Sequence, residues 1–371
     1  MNHMPKMPKL NRRAFVVGTA AAGAGLAFGL ELPFGGPTVV RAADGSPEVN
    51  VWVVIRPDDT VVIRIARSEM GQGTLTGLAQ LVAEELECDW SKVTTEYPTP
   101  GQSVARKRAW GDFSTGGSRG IRTSQDYVRK GGATARMMLV QAAANEWKVP
   151  VAECTAANSV ITHTPSGRKT TYGKVVEAAA KLPPPADSDV KLKDPKDWKI
   201  AGKGVLRLDT EDKTTGKMIY GIDVKLPGML NAAIKDCPVF GGKLKSFDEA
   251  KVMGMKGVKK VVRVNDSTVA VVADTWWHAK TALDALPIVW DEGPNAKVSS
   301  ESIAKWLAEG LDNSQPAFVG NQNGDAKATI AGAAKKIEAV YNYPYQNHAA
   351  MEPLNATALY TSEKCEVWCG T

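Results

Sequence analysis

Gly71-Gln72-Gly73-Thr74 stands between an apolar run and a stretch whose leucines recur at helical spacing. Glycines at such a junction let the backbone adopt positive φ and come close to a ligand. The helix behind them offers free N–H groups and the positive end of its dipole, which suits a phosphate or another anion. A tight strand-to-helix turn with no ligand fits the same residues. Thr115-Gly116-Gly117-Ser118 is a second glycine cluster ahead of a helix. Two such loops separated by one helix suit the two ends of a long phosphate-bearing ligand; a surface loop is the alternative. The third candidate is His348, with Met351 and Glu352 following in His348-Ala349-Ala350-Met351-Glu352-Pro353. A His and a Glu four residues apart suit acid–base or metal work, and a lone His also serves as a structural hydrogen-bond partner.

Other familiar arrangements are missing. Gly71, Gly73 and Gly77 read G-x-G-x-x-x-G, which is not the dinucleotide fingerprint. The run before them, Val61–Arg67, carries charges where a dinucleotide fold has a strand buried on both faces. No P-loop, no H-E-x-x-H, no Ser–His–Asp order and no dicarboxylate pair stands out. The residues present assign no catalytic side chain and no metal ligand.

The elements that must hold these loops follow from periodicity. Val49–Arg56 and Val61–Ala66 read as strands joined by the turn Pro57-Asp58-Asp59-Thr60. Leu75, Leu78, Leu81, Val82 and Leu86 mark a helix, and Val93–Tyr97 a short strand. Residues 98–120 read as a long polar loop. A long helix is expected from Thr123 to Trp147, although Gly131-Gly132 would be costly in its interior without a packing reason. A short helix fits Tyr172–Lys181, and Pro183-Pro184-Pro185 mark a linker. Beyond it the chain turns β-rich: Met218–Leu226, Gly228–Ile234, Val258–Val264, Thr268–Ala273 and Pro287–Trp290, with a helix over Trp276–Ala285. A polar stretch carries one helix near Ser300–Glu309, and a β pattern runs from Lys336 to Tyr345. The class expected is α+β.

Composition narrows the function further. The formal net charge is +6, but residues 1–42 hold Lys6, Lys9, Arg12, Arg13 and Arg41 against Glu31. The remainder is near neutral, which gives no electrostatic reason to expect nucleic acid. Asn11-Arg12-Arg13-Ala14-Phe15 begins a twin-arginine pattern. A short glycine-rich apolar run and the small-residue context Val40-Arg41-Ala42-Ala43 follow it. The expectation is export to the periplasm by the twin-arginine route, which carries folded proteins and so favours a cofactor inserted beforehand. The five cysteines, Cys88, Cys154, Cys237, Cys365 and Cys369, show no C-x-x-C spacing and read as buried thiols. The apolar end, Glu366-Val367-Trp368-Cys369-Gly370-Thr371, reads as a strand with no polar tail; the expectation is a chain truncated at its C-terminus.

Taken together, these segments resemble the xanthine dehydrogenase and aldehyde oxidase family, nearest the isoquinoline 1-oxidoreductase β-subunit type. Glu69 to Thr74 with Leu81 to Leu86 resembles a molybdopterin-binding segment. Lys217 to Leu230, Cys237 to Gly242 and Ala273 to Trp277 resemble the α/β hammerhead domain. His348 to Ala358 and Val367 to Thr371 resemble the start of another molybdopterin-binding domain. The resemblance covers nearly all of residues 49–371, and the order, with the glycine loop ahead of the hammerhead, is that of the isoquinoline-type branch.

It implies this organisation: signal peptide 1–42, molybdopterin-binding segment 43–182, linker 183–201, hammerhead 202–292, connecting segment 293–335, and an incomplete second molybdopterin-binding domain 336–371. It implies molybdenum with molybdopterin cytosine dinucleotide as cofactor. Gly71, Gln72, Gly73, Thr74, Gly116, Gly117, Ser118, His348, Met351 and Glu352 are the implied cofactor-binding residues. The reaction implied is hydroxylation of an N-heterocycle or oxidation of an aldehyde, with oxygen from water. Electrons would leave to a small partner subunit carrying the [2Fe–2S] clusters, and onward to a cytochrome c. The family's catalytic glutamate would lie beyond Thr371, so the fragment alone is expected to be inactive. A non-redox periplasmic binding protein for a phosphorylated ligand, or an inactive truncated product, are the competing readings.

Overall fold

The computed structural model describes residues 39–311 and 318–370. All but the last four residues of the expected signal segment lie outside that range. The chain is α+β and divides after Ile219 into two units.

The first unit is built on a four-stranded sheet. Its strands are β1 (Glu48–Asn50), β2 (Val53–Ile55), β3 (Val61–Arg64) and β4 (Val93–Glu96), in that order. The first three are joined antiparallel, and β3 and β4 run parallel. The single strand expected over Val49–Arg56 is therefore two. Asn50 makes the break: its Oδ1 accepts from the N–H of Trp52 (2.9 Å) and Val53 (3.1 Å), turning the chain locally. Helix α1 (Thr74–Leu86) links β3 to β4. The helices α2 (Pro100–Ala105) and α3 (Arg119–Arg122) come next, the first within the stretch expected to be loop and the second across its end.

Helix α4 (Gln125–Trp147) runs unbroken through its glycine pair. The packing reason is specific. A Cβ on Gly131 would lie 2.7 Å from the Trp52 ring, and one on Gly132 would lie 2.4 Å from the Val82 carbonyl of α1. The pair lets α4 close onto Trp52, just ahead of β2, and onto α1 at once. Three more strands, β5 (Cys154–Ala157), β6 (Val160–His163) and β7 (Lys169–Thr171), form an antiparallel sheet that periodicity did not suggest. They are short and rich in threonine, and positive φ at Asn158 and Ser159 makes the first turn. Helix α5 (Tyr172–Ala179) follows, and the buried Tyr172 hydroxyl donates to the Leu86 carbonyl at 2.6 Å.

Residues 183–201, expected to be a linker, are held on α1. Glu84 and Glu85 are buried there. Glu84 Oε2 accepts from the N–H of Ile200 (2.6 Å), Lys199 (2.8 Å) and Ala201 (3.1 Å), and Oε1 pairs with the Lys193 ammonium. Glu85 accepts from the Lys193 N–H and from Arg129, whose guanidinium lies over the Trp198 ring. In sequence these two glutamates look like the solvated face of a helix. Helix α6 (Thr210–Thr215) ends the unit.

In the second unit β8 (Asn231–Asp236), β10 (Val258–Asn265) and β11 (Thr268–Ala273) form an antiparallel sheet with β11 central. Between them β9 (Lys243–Phe247) pairs with β12 (Ile288–Asp291). Helix α7 (Trp276–Ala285) buries Ala279, Ala282 and Leu283 in one cluster with Val261, Val269 and Val271. The expected strand at Met218–Leu226 is instead a short 3-10 turn, closed by Asp223, which accepts from the Tyr220 N–H. Helices α8 (Ser300–Leu311) and α9 (Ala326–Ala331) follow.

No strand forms over Lys336–Tyr345. Its apolar side chains are exposed, from 76% at Tyr345 to 88% at Tyr343, so nothing covers the alternating face. The hairpin lies later, as β13 (Ala356–Tyr360) and β14 (Cys365–Cys369). Two strands bury little, and Cys365 and Cys369 are exposed rather than buried. Cys88 and Cys154 are buried, Cys237 is half-buried, and all five thiols are free.

Candidate functional site

Buried Arg67 leads from β3 into the first glycine loop and reaches across to the second. Its Nη1 donates to the carbonyls of Asp112 (2.6 Å) and Ser114, and its Nε to Ser124 Oγ (2.9 Å). One residue on, the Ser68 N–H donates to Thr115 Oγ1 at 3.0 Å. Thr74 at the head of α1 is buried against Gly120 of α3, where a Cβ would come within 2.5 Å of the threonine hydroxyl. The two loops expected from sequence, Gly71–Thr74 and Gly116–Ser118, are thus fastened side by side.

The segment leading to the second loop is braced as well. Thr99 and Gln102 form a reciprocal cap at the start of α2. Arg106 makes a bidentate pair with buried Glu48 (2.7 and 2.8 Å). Trp110 donates to the Val51 carbonyl at 2.8 Å, and the Arg64 and Arg106 guanidiniums lie over its ring, 5.5 and 5.2 Å from the centre. The stretch read as polar loop is therefore tied to β1 and to the turn after it before it reaches Gly116.

Within the first loop Gly71 and Gly73 take φ of 98° and 87°, which only glycine adopts readily. Their N–H groups converge, as expected of an anion cradle, but the chain fills the cradle itself. Glu69 Oε1 accepts from Gly71 (2.7 Å) and Gly73 (3.0 Å), and Oε2 from Leu75 (3.0 Å). Arg207 donates to Glu69 (3.2 Å) and to the Gly71 carbonyl (2.9 Å). Burial opposes the charged form of Glu69; the N–H groups of Gly73, Leu75 and Gly71, together with Arg207, outweigh it. The carboxyl therefore sits below its ordinary value of 4.5. Gln72 is spent on the loop too, accepting from the Met70 N–H (2.6 Å) and donating to the Ser68 carbonyl (3.0 Å).

Arg207 is set by Asp209, which pairs with it and with Lys213. The bond from Arg207, aided by Lys213, lowers Asp209 to about 2.

The second loop differs. Gly117 and Ser118 take positive φ, and among the described residues no hydrogen bond engages the Gly116 or Gly117 N–H. Arg119 and Arg122 stand exposed beside them, the first on Asp112 and the second donating to the Gly117 carbonyl.

His348, Met351 and Glu352 belong to the second unit. His348 is exposed, Met351 is 99% exposed, and Glu352 accepts from the Gly221 N–H (2.9 Å) and from Asn355 (3.3 Å), closing the 3-10 turn. Sequence reading missed Arg67, Glu69 and Arg207. An acidic residue just ahead of a helix is a visible capping signal for Glu69. Arg207 lies 138 residues away and gives none.

Arg67→Lys keeps the charge but loses the fork that spans Asp112, Ser114 and Ser124. Limited proteolysis within residues 112–118 is expected to speed up by about tenfold or more, from the loss of charge-assisted bonds that hold the segment. An unchanged cleavage rate there would remove Arg67 from its bracing role.

The family model of the molybdopterin cofactor-binding domain matches residues 6–223. The chain belongs to that family, the molybdopterin-binding chains of the molybdenum hydroxylases. It is 30% identical to a membrane-bound aldehyde dehydrogenase [pyrroloquinoline-quinone] of Gluconacetobacter polyoxogenes, over 97% of this chain and 48% of that protein. It is 29% identical to the isoquinoline 1-oxidoreductase subunit beta of Brevundimonas diminuta, over 99% of this chain and 52% of that protein. The chain thus spans about half the length of these relatives. Among solved structures, aldehyde oxidoreductase from Desulfovibrio gigas is 21% identical, with a TM-score of 0.36 over 53% of this chain and 27% of that one.

Proposed function

We propose that this chain supplies the molybdopterin-binding part of a periplasmic oxidoreductase that hydroxylates an N-heterocycle or oxidises an aldehyde, taking oxygen from water. The observation that carries the reading is the pair of glycine loops fastened by Arg67 and the Ser68–Thr115 bond, with the Gly116 and Gly117 N–H groups turned to no other described residue. The cofactor proposed is molybdenum with molybdopterin cytosine dinucleotide. Its anionic linkage suits the second loop, where Gly116, Gly117 and Ser118 would hold it beside Arg119 and Arg122. The first loop fits as a wall rather than an anion cradle, because Glu69 takes its N–H groups. Gly71 and Gly73 set the shape of that wall, Gln72 locks it, and Thr74 seats it on α3. When bound, the cofactor supplies the two-electron oxidation and the water-derived oxygen.

His348 and Met351 remain proposed cofactor contacts of the second unit, whereas Glu352 is assigned to holding Gly221. The hammerhead domain expected over residues 202–292 is assigned to the part of that range in the second unit, residues 220–292. A small subunit with [2Fe–2S] clusters takes the electrons in this proposal, and a cytochrome c receives them next. Export follows the twin-arginine route through Arg12 and Arg13.

The test is the metal and nucleotide content of the natively expressed protein with its partner. Molybdenum and released cytidine nucleotide in amounts equal to the large subunit are expected, in the periplasmic fraction. A soluble protein with neither would point to the anion-binding alternative, and a quinone without molybdenum would overturn the cofactor assignment.

A further inference from the structure

We propose that Glu69 is a positioning residue that acts as a built-in anion, holding the first loop in its ligand-ready shape before any cofactor arrives. The proposal rests on the cofactor reading above but is tested apart from it. Three converging N–H groups at the head of a thirteen-residue helix would ordinarily draw a phosphate or a sulfate. Here all three bond to one carboxylate whose side chain is only 7% exposed. The carboxylate is not free to leave: Arg207 bonds it and the Gly71 carbonyl together, and Asp209 orients Arg207 from the other side. Filling the cradle from within has two results. Gly71 and Gly73 stay in their left-handed conformation with no ligand to impose it. The N–H groups of Gly71, Gly73 and Leu75 have nothing left to donate, so an anionic ligand finds its donors at Gly116 and Gly117 instead.

Emptying the cradle should therefore create an anion site that the wild-type chain lacks. In the full chain stripped of cofactor, Glu69→Ala is expected to melt lower than wild type, and sodium formate should raise its Tm by about 2–4 °C relative to an equal concentration of sodium chloride. Wild type should respond less, through its second loop alone. In the loaded protein Glu69→Ala should retain about tenfold less molybdenum, the scale of loss when a group that orients a ligand is removed, and formate during expression should recover part of it. Where Glu69→Ala does not fold, Glu69→Asp and Glu69→Gln carry the test. The charged Asp variant should keep more molybdenum than the neutral Gln variant. A formate response equal in wild type and Glu69→Ala, or wild-type molybdenum in Glu69→Gln, would overturn the proposal. Absence of molybdenum from wild type would overturn the cofactor reading alone, because the melting comparison does not depend on it.

Discussion

Gly132→Ala is expected to destabilise the first unit by about 2–3 kcal/mol, the cost of overpacking a close interface. In an exposed mid-helix position the same change would stabilise by about 1 kcal/mol. The sign reverses because the new methyl would lie 2.4 Å from the Val82 carbonyl oxygen, 3.2 Å from its carbon and 3.1 Å from Glu85 Cβ. Two of those three atoms are backbone, and α1 cannot retreat without dragging the glycine loop at its head. Gly131→Ala meets the Trp52 side chain instead, so a ring shift absorbs part of its cost. Urea unfolding of both variants gives the comparison. A midpoint for Gly132→Ala at or above wild type would mean that α1 and α4 separate freely, and the packing account of the glycine pair would be wrong.

The second large effect is at Glu84. Glu84→Ala leaves three backbone N–H groups without their shared partner in a buried place, and leaves the Lys193 ammonium with Glu87 as its remaining carboxylate. Breaking a buried pair from one side costs about 3–5 kcal/mol. Residues 193–201 should come loose, so limited proteolysis should cut there first, near Lys196 or Lys199. The pH dependence has a definite sign. Burial favours the neutral acid, but Lys193 and the N–H groups of Ile200, Ala201 and Lys199 outweigh it, so the carboxyl sits below its ordinary value of 4.5 in the folded chain. The stability it contributes is complete above that value and disappears as the pH falls through the lower folded value. Glu84→Gln should flatten this acid limb. A limb as steep as wild type would assign the acid sensitivity to other carboxylates, with Asp209 and Glu48 the next to test.

What the sequence disclosed depended on how far each signal reached along the chain. The leucines of α1 and the valines of β10 and β11 announced their elements because periodicity is a local property. The glycine loops were visible as loops, and Arg67 and the Ser68–Thr115 bond fasten them side by side. What the loops do was not visible. Gly71 and Gly73 read as a cradle for a foreign anion, while the anion two and four residues upstream was Glu69 itself. The glutamates that fasten residues 193–201 carry no local signal, because a charged helix face ordinarily points to water. The strands β5 to β7 escaped because three or four residues with threonines on both faces carry almost no alternation. Lys336–Tyr345 failed in the opposite way: alternation was present, but no neighbouring strand answers it among the described residues.

The Glu69–Arg207 contact also sets an order of events during synthesis. Its partners are 138 residues apart. At about 5–20 residues per second, the ribosome needs roughly 7–30 s to pass from one to the other. Throughout that interval the glycine loop has its carboxylate but not the guanidinium that pins it. The loop is finished only when the stretch before α6 emerges, which makes the far end of the first unit the last component of its earliest-made site.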